Sequence, residues 1–200
     1  MLRAGIPLDD LRATFSERGS IRIDGFLDGA LVVALRDASR ALEHELRVSI
    51  PDDLAYQYWS AKVVPEEHCD HLLCRFGRWL WSDGAAWIGA LTGIELMPPP
   101  GRTLVTTLFD KGSHLDPHND WDGTRKVAFV LGLTEETWPA EDGGHLEFLD
   151  TDGKHIVVVE SRPPGWNTLD LFDVRQPTCN HAIPILRRRA ERRVISGWFC

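Results

Sequence analysis

No apolar run in this chain approaches the ~20 residues that a membrane-spanning helix requires, so no transmembrane segment is expected. The opening stretch, MLRAGIPLDDLRATF, is amphipathic and acidic and lacks the hydrophobic centre of a signal peptide. Internal repeats and low-complexity tracts are also missing. Basic charge is scarce: 22 Lys and Arg face 30 Asp and Glu, a net charge of −8. That balance argues against nucleic acid or an anionic membrane as partner. The run from Arg187 to Arg193 is the local exception and reads as a solvated turn between strands. Only four cysteines occur, at 69, 74, 179 and 200, without the spacing of a disulfide scaffold. A reducing compartment follows, and a soluble, cytoplasmic protein is expected.

What is present suits one globular domain over residues 1–200. At 43% hydrophobic, the chain can bury a core without disulfides or structural metal. The first hundred residues read as mostly helical. Pro7–Arg18 forms a short helix, and Ser20–Ile23 alternates as a strand closed by Asp24-Gly25. From Asp28 to Arg47, leucines at 31, 35, 42 and 46 with Ala38 recur at spacings of three and four, predicting one amphipathic helix. Val48–Pro65 reads as a long loop carrying Tyr56, Tyr58 and Trp59. Two further helices are expected over Glu66–Leu80 and Ser82–Thr92, the second capped at Ser82-Asp83.

After Pro98-Pro99-Pro100-Gly101 the pattern turns to β. Strands are expected over Thr103–Asp110, Lys126–Leu133, His145–Asp150, His155–Glu160, Thr168–Val174, His181–Leu186 and Arg193–Phe199. Turn signals such as Asp142-Gly143-Gly144 and Asp152-Gly153 separate them. Many short, punctuated strands indicate a sandwich or barrel over 101–200, supported by the helical layer of 1–100.

Three His-x-acid pairs are candidates for a chelate: His68-x-Asp70, His118-x-Asp120 and His145-x-Glu147. Residues i and i+2 share a face only on extended backbone. His68-x-Asp70 falls in a helical pattern and is set aside. The cluster His68, Cys69, His71 and Cys74 matches no paired zinc spacing. His145-x-Glu147 lies on a predicted strand but has weaker surroundings. His118-x-Asp120 follows a strand and a turn, and His181 opens another strand later. Two imidazoles and one carboxylate with open positions form the facial triad of non-haem iron(II) oxygenases.

The last strand carries a second signal. Arg192, Val194, Ser196 and Trp198 share one face, and Arg193, Ile195, Gly197 and Phe199 share the other. An inward arginine beside a metal needs an anion, because burying it unpaired is costly. A bidentate carboxylate contact meets that need.

Taken together, the segments Phe109-x-Lys111-Gly112-x-x-Leu115-x-x-His118-x-Asp120, Gly143-Gly144-x-Leu146, Leu169-x-Leu171-Phe172 before His181, and Arg192 to Trp198 resemble an iron(II)/2-oxoglutarate-dependent dioxygenase of the prolyl-4-hydroxylase-like branch. The resemblance spans roughly Leu104–Phe199, with an echo in Ser20–Leu27. It implies a double-stranded β-helix, a jelly-roll or cupin-like core packed on helices, with iron(II) held by His118, Asp120 and His181. It implies 2-oxoglutarate and O2 as co-substrates, succinate and CO2 as products, and ascorbate as a stimulant. Arg192 would hold the distal carboxylate, with Arg193 as the fallback if the register shifts by one.

Two departures from the family pattern stand out. Phe109 replaces a frequent tyrosine, and Gly132 replaces another, which would widen the pocket or let Ser196 or Thr107 reach the carboxylate. Trp59, Tyr58, Trp121 and His114 are candidates for the substrate side. The leading expectation is hydroxylation of an unactivated C–H bond in a small molecule, such as an amino acid or natural-product intermediate. A peptidyl, prolyl-type hydroxylase is the alternative, and a non-catalytic cupin-like metal-binding or sensing domain is the reading from another class.

Overall fold

The computed structural model describes residues 1–49, 54–151 and 155–200. The predicted turn at Asp152-Gly153 and part of the predicted loop at 48–65 therefore lie outside the described residues. In chain order the elements are α1 (Leu8–Arg18), β1 (Ser20–Asp24), α2 (Gly29–Arg40), β2 (Glu45–Val48), β3 (Tyr56–Val63), α3 (Leu72–Trp79) and α4 (Ala85–Thr92). Then follow β4 (Leu104–Phe109), β5 (His114–His118), β6 (Val127–Leu133), β7 (Leu146–Thr151), β8 (Ile156–Arg162), β9 (Trp166–Asp173), β10 (Asn180–Ile183) and β11 (Arg192–Phe199).

Asp28 caps α2 by accepting from the Ala30 amide at 2.9 Å. The helix stops at Arg40 although its leucine periodicity runs on to Leu46. Leu46 instead pairs opposite Trp59, because β2 and β3 form an antiparallel hairpin where a loop was expected. Cross-strand pairing overrides helical periodicity there. The break expected at Ser82 is absent too. Leu80–Gly84 winds as a π turn between α3 and α4. The Ser82 hydroxyl donates back to the Arg78 carbonyl at 2.9 Å, so it caps nothing. His71 takes the capping role at the start of α3. Cys69 and Cys74 are joined as a disulfide beside that cap, so the His68–Cys74 cluster is a staple rather than a free set of ligands.

Among the described residues the strands form one eleven-stranded, curled antiparallel sheet in the order β1-β9-β6-β11-β4-β3-β5-β10-β7-β8, with β2 on β3. This is the expected jelly-roll, but its support differs from expectation. The first hundred residues are mainly helical, as expected, but they also supply three strands, β1, β2 and β3, to the sheet. β3 has a special place, since Trp59–Val63 pairs with β4 while Tyr56 and Gln57 pair with β5. One strand thereby joins the two halves of the curl.

Two apolar clusters fix the layers. Phe26, Leu35, Leu73, Ile88, Phe129 and Phe199 pack the helices against the outside of the larger half-sheet. Phe109, Phe148, Phe172, Ile183 and Leu186 fill the space between the halves. The second cluster floors a cavity that opens on the inward faces of β3, β4, β5, β10 and β11.

Candidate metal centre

β5 and β10 carry the site. His118 stands opposite His181 in their antiparallel pairing, and the imidazole centroids are 4.2 Å apart. Asp120, just beyond β5, reaches back between them. Its Oδ1 lies 3.6 Å from His118 Nε2 and its Oδ2 3.5 Å from His181 Nε2. One donor atom from each residue lies within 4.8 Å of the others. No other group of three or more such donors gathers among the described residues.

The tautomers favour a metal. His118 Nδ1 donates to the Asp116 carbonyl at 2.9 Å, and His181 Nδ1 donates to the Cys179 carbonyl at 3.1 Å. A carbonyl can only accept, so each Nδ1 carries its hydrogen. When the ring is neutral, Nε2 is then the nitrogen with the free lone pair, and in both histidines it is the one that faces Asp120, as a ligand histidine requires. Burial is the largest influence on all three groups. It wins at His181, whose imidazolium is pushed down to about 4, helped by the neighbouring His118 charge. At His118 burial is outweighed by hydrogen bonding and charge from Asp120, and the value rises. At Asp120 it is outweighed by the two histidines, and the carboxyl falls below its usual range. Two imidazoles and an ionised carboxylate, with no fourth donor in the group among the described residues, fit an iron(II) that keeps positions for exogenous ligands.

A β-bulge explains which neighbours face the site. The β5–β10 register shifts between His118 and Leu115, so these two residues reach the same cavity across an irregular interval. His114 is thereby turned away and its Nδ1 meets the Gly112 carbonyl. Trp59 alternates with Tyr58 on β3 and faces the other side. Trp121 is half exposed beyond the ligands. Of the four substrate-side candidates, only Tyr58 lines the cavity.

Thr107, Phe109, Ser196 and Arg192 all line this cavity of about 470 Å³. Arg192 is buried, its guanidinium lies over the Phe109 ring at 4.8 Å, and its Nε has no partner. Burial lowers its pKa to about 10, so it remains charged at neutral pH. Asp170, whose charge acts on Arg192 from elsewhere in the sheet, is already held by Arg22 at 2.7 Å and Arg162 at 3.1 Å. A buried cation without a carboxylate of its own fits a cavity built to receive one. Arg193 faces the opposite way, with its Nη2 on Glu191 at 3.2 Å and its amide on Thr134. The register thus turns Arg192, not Arg193, inward.

Gly132 does not widen the cavity. A Cβ there would meet the Gly165 carbonyl and Thr168 Oγ1 at 2.4 Å, so close backbone approach accounts for the glycine. Sequence reasoning missed Arg47, Tyr56, Ser60 and Lys62 on the lining. Their signal is the alternation of YQYWSAKV, which places Tyr56, Tyr58, Ser60 and Lys62 on one face once the segment is seen as a strand.

Comparisons with known proteins agree with this geometry. The sequence model of the 2OG-Fe(II) oxygenase superfamily matches residues 104–200. A prolyl 3,4-dihydroxylase OGFOD1 from Ostreococcus tauri is 35% identical over 135 residues, 64% of this chain and 26% of the relative. A prolyl 3-hydroxylase OGFOD1 from Xenopus laevis is 31% identical over 124 residues, 60% of this chain and 23% of the relative. The chain thus spans about a quarter of the length of the curated relatives it matches. Among solved structures, a 2OG-Fe(II) oxygenase family oxidoreductase from Burkholderia pseudomallei superposes with a TM-score of 0.71 at 14% identity, covering 100% of this chain and 92% of that one. The matched segment 104–200, just under half of the chain, contains the two-histidine, one-carboxylate cluster and the inward arginine, and it is this segment that is similar to the 2OG-Fe(II) oxygenase superfamily.

Proposed function

We propose that this protein is an iron(II)- and 2-oxoglutarate-dependent hydroxylase whose substrate is a prolyl residue of a peptide or protein. The observation that carries the reading is the pairing, in one cavity, of the His118–Asp120–His181 cluster with the buried, carboxylate-free Arg192. When bound, iron(II) and 2-oxoglutarate supply the oxidising chemistry, with O2 as oxidant and succinate and CO2 as products. His118, Asp120 and His181 would hold the metal. Arg192 would receive the distal carboxylate of the co-substrate, and the hydroxyls of Thr107 and Ser196 line the same cavity and would serve the same ligand. Phe109 and Tyr58, stacked with centroids 5.3 Å apart, form an apolar wall that excludes water from one side.

Similarity to the OGFOD1 prolyl hydroxylases supports a peptidyl substrate ahead of the free small molecule that the sequence alone placed first. The test is succinate release from 2-oxoglutarate with iron(II) and ascorbate, over proline-containing peptides and free amino acids. Peptide-stimulated release is expected, lost in His118→Ala and restored in Arg192→Ala only at much higher 2-oxoglutarate. Turnover unaffected by His118→Ala would overturn the assignment, and stimulation by free amino acids alone would return the small-molecule reading.

A further inference from the structure

A row of four side chains crosses the inward face of the sheet from its edge to its depth. Arg47 on β2 stands opposite Tyr58 on β3. Tyr58 stacks on Phe109 of β4. Phe109 stands opposite Arg192 of β11 and lies beneath its guanidinium. Two stacked rings therefore carry an arginine at either end. With neighbouring strands about 4.8 Å apart, three spacings place the two arginine backbones roughly 14 Å from each other. Both line the same cavity, one at its floor and one at its mouth.

The mouth holds more positive charge than the floor requires. The charged residues lining the cavity are Arg47, Lys62, Arg125 and Arg192 against Asp120 alone, in a chain of net charge −8. Under the function proposed above, Asp120 would be answered by the two histidines and a metal, and Arg192 by the co-substrate. Arg125 is held by Asp122 at 3.0 Å and stacks on Trp198 at 4.0 Å. Arg47 leans on the exposed Glu45 at 2.8 Å and on the Ser60 hydroxyl at 3.3 Å, which leaves guanidinium N–H groups to spare. Lys62 is exposed, and its side chain has neither a hydrogen bond nor an ion pair among the described residues. Concave surfaces lined by one sign of charge concentrate ligands of the other.

We infer that Arg47 and Lys62 form a second anion-recognition point at the mouth, selecting substrates that carry a carboxylate close to the carbon that reacts. This rests on the function proposed above and deepens it. In a peptide the carboxylate belongs to an Asp or Glu flanking the prolyl residue. In a free small molecule it is the molecule's own. Tyr58 stands opposite Arg47 and lines the same cavity as His118 and Asp120. A side chain bound at Arg47 would thus leave its neighbour directed inward.

The probes are N-acetylated pentapeptide amides with a central proline flanked by four Glu, four Ser or four Lys, together with N-acetylproline and its amide. Binding is titrated to protein loaded with Mn(II) and an unreactive 2-oxoglutarate analogue. The Glu peptide should bind at least tenfold more tightly than the Ser peptide, and the Lys peptide more weakly still. The double variant Arg47→Glu/Lys62→Glu should reverse that order, whereas Arg47→Lys should keep it. Unchanged thermal midpoints establish that the variants are folded. N-Acetylproline binding far above its amide, with no peptide preference, assigns the carboxylate to a small substrate. Equal or undetectable binding of all probes, tighter binding of the Lys peptide, or an order unchanged in the double variant would overturn the inference. Charge-selective binding without iron-dependent succinate release would retire the proposed hydroxylase and leave the recognition point. Release without charge selectivity would do the reverse.

Discussion

The side-chain amide of Asn119 donates to Asn180 Oδ1 at 2.8 Å. This bond ties the residue between His118 and Asp120 to the residue before His181, and Asn119 Oδ1 also accepts the Trp121 amide at 2.7 Å. The three candidate ligands, from two chain segments, are set in one frame by a residue that is not itself one of the donors. Groups that orient ligands in this way typically govern about 10–100-fold in metal affinity. Asn119→Ala should therefore weaken Mn(II) binding about tenfold while its thermal midpoint shifts little, since the bond is exposed. Equal Mn(II) affinity in the two proteins would remove Asn119 from this role.

Arg192 should weigh on stability and co-substrate affinity in opposite directions. Losing one partner of a buried charge pair costs about 2–5 kcal/mol, so Arg192→Met should weaken 2-oxoglutarate binding at least thirtyfold. Without the co-substrate, removing an unpaired buried cation should stabilise the metal-free protein by about 1–3 kcal/mol in urea unfolding. Arg193→Met should leave 2-oxoglutarate affinity within about twofold. A destabilised Arg192→Met protein would mean that the guanidinium is already well satisfied.

Gly132→Ala tests why this position is glycine. Its new Cβ would lie 2.4 Å from the Gly165 carbonyl, a backbone atom with little room to move. A loss of about 1–3 kcal/mol is expected from such overpacking. A neutral substitution would show that the Gly165 loop yields.

His145 supplies a pH dependence. The ring is buried, its Nδ1 contacts Ser161 Oγ at 2.9 Å, and its Nε2 has no partner. Burial lowers its folded-state pKa below the ordinary value of 6.5. The unfolded chain then binds the extra proton first, so His145 contributes stability above about pH 6.5 that is lost as the pH falls toward the folded value. Urea unfolding between pH 5 and 8 should show this loss in the wild type and less of it in His145→Gln. Parallel profiles would exclude His145 as the source.

The β half of the chain was legible because its turns are marked by Asp-Gly and Pro-Gly pairs and its strands alternate visibly. The metal cluster was legible for the same reason: extended backbone makes His118 and Asp120 a pair, and a later strand supplies His181. Arg192 could be separated from Arg193 only once the β11 register was known. The hairpin of β2 and β3 was hidden because Leu46 continues the helical period of α2, and because Trp59 draws attention to the wrong face. No local signal shows the irregular register of β5 that turns Leu115 inward and His114 outward. The Cys69–Cys74 bridge was missed because a five-residue interval resembles no scaffold pattern.

β3 changes partner midway, from β4 at Trp59 to β5 at Tyr56, and Tyr56 faces Leu115 three residues before His118. Arg47 on β2 and His118 on β5 are therefore joined through a single intervening strand, so the mouth of the cavity and the proposed metal end share one continuous piece of sheet.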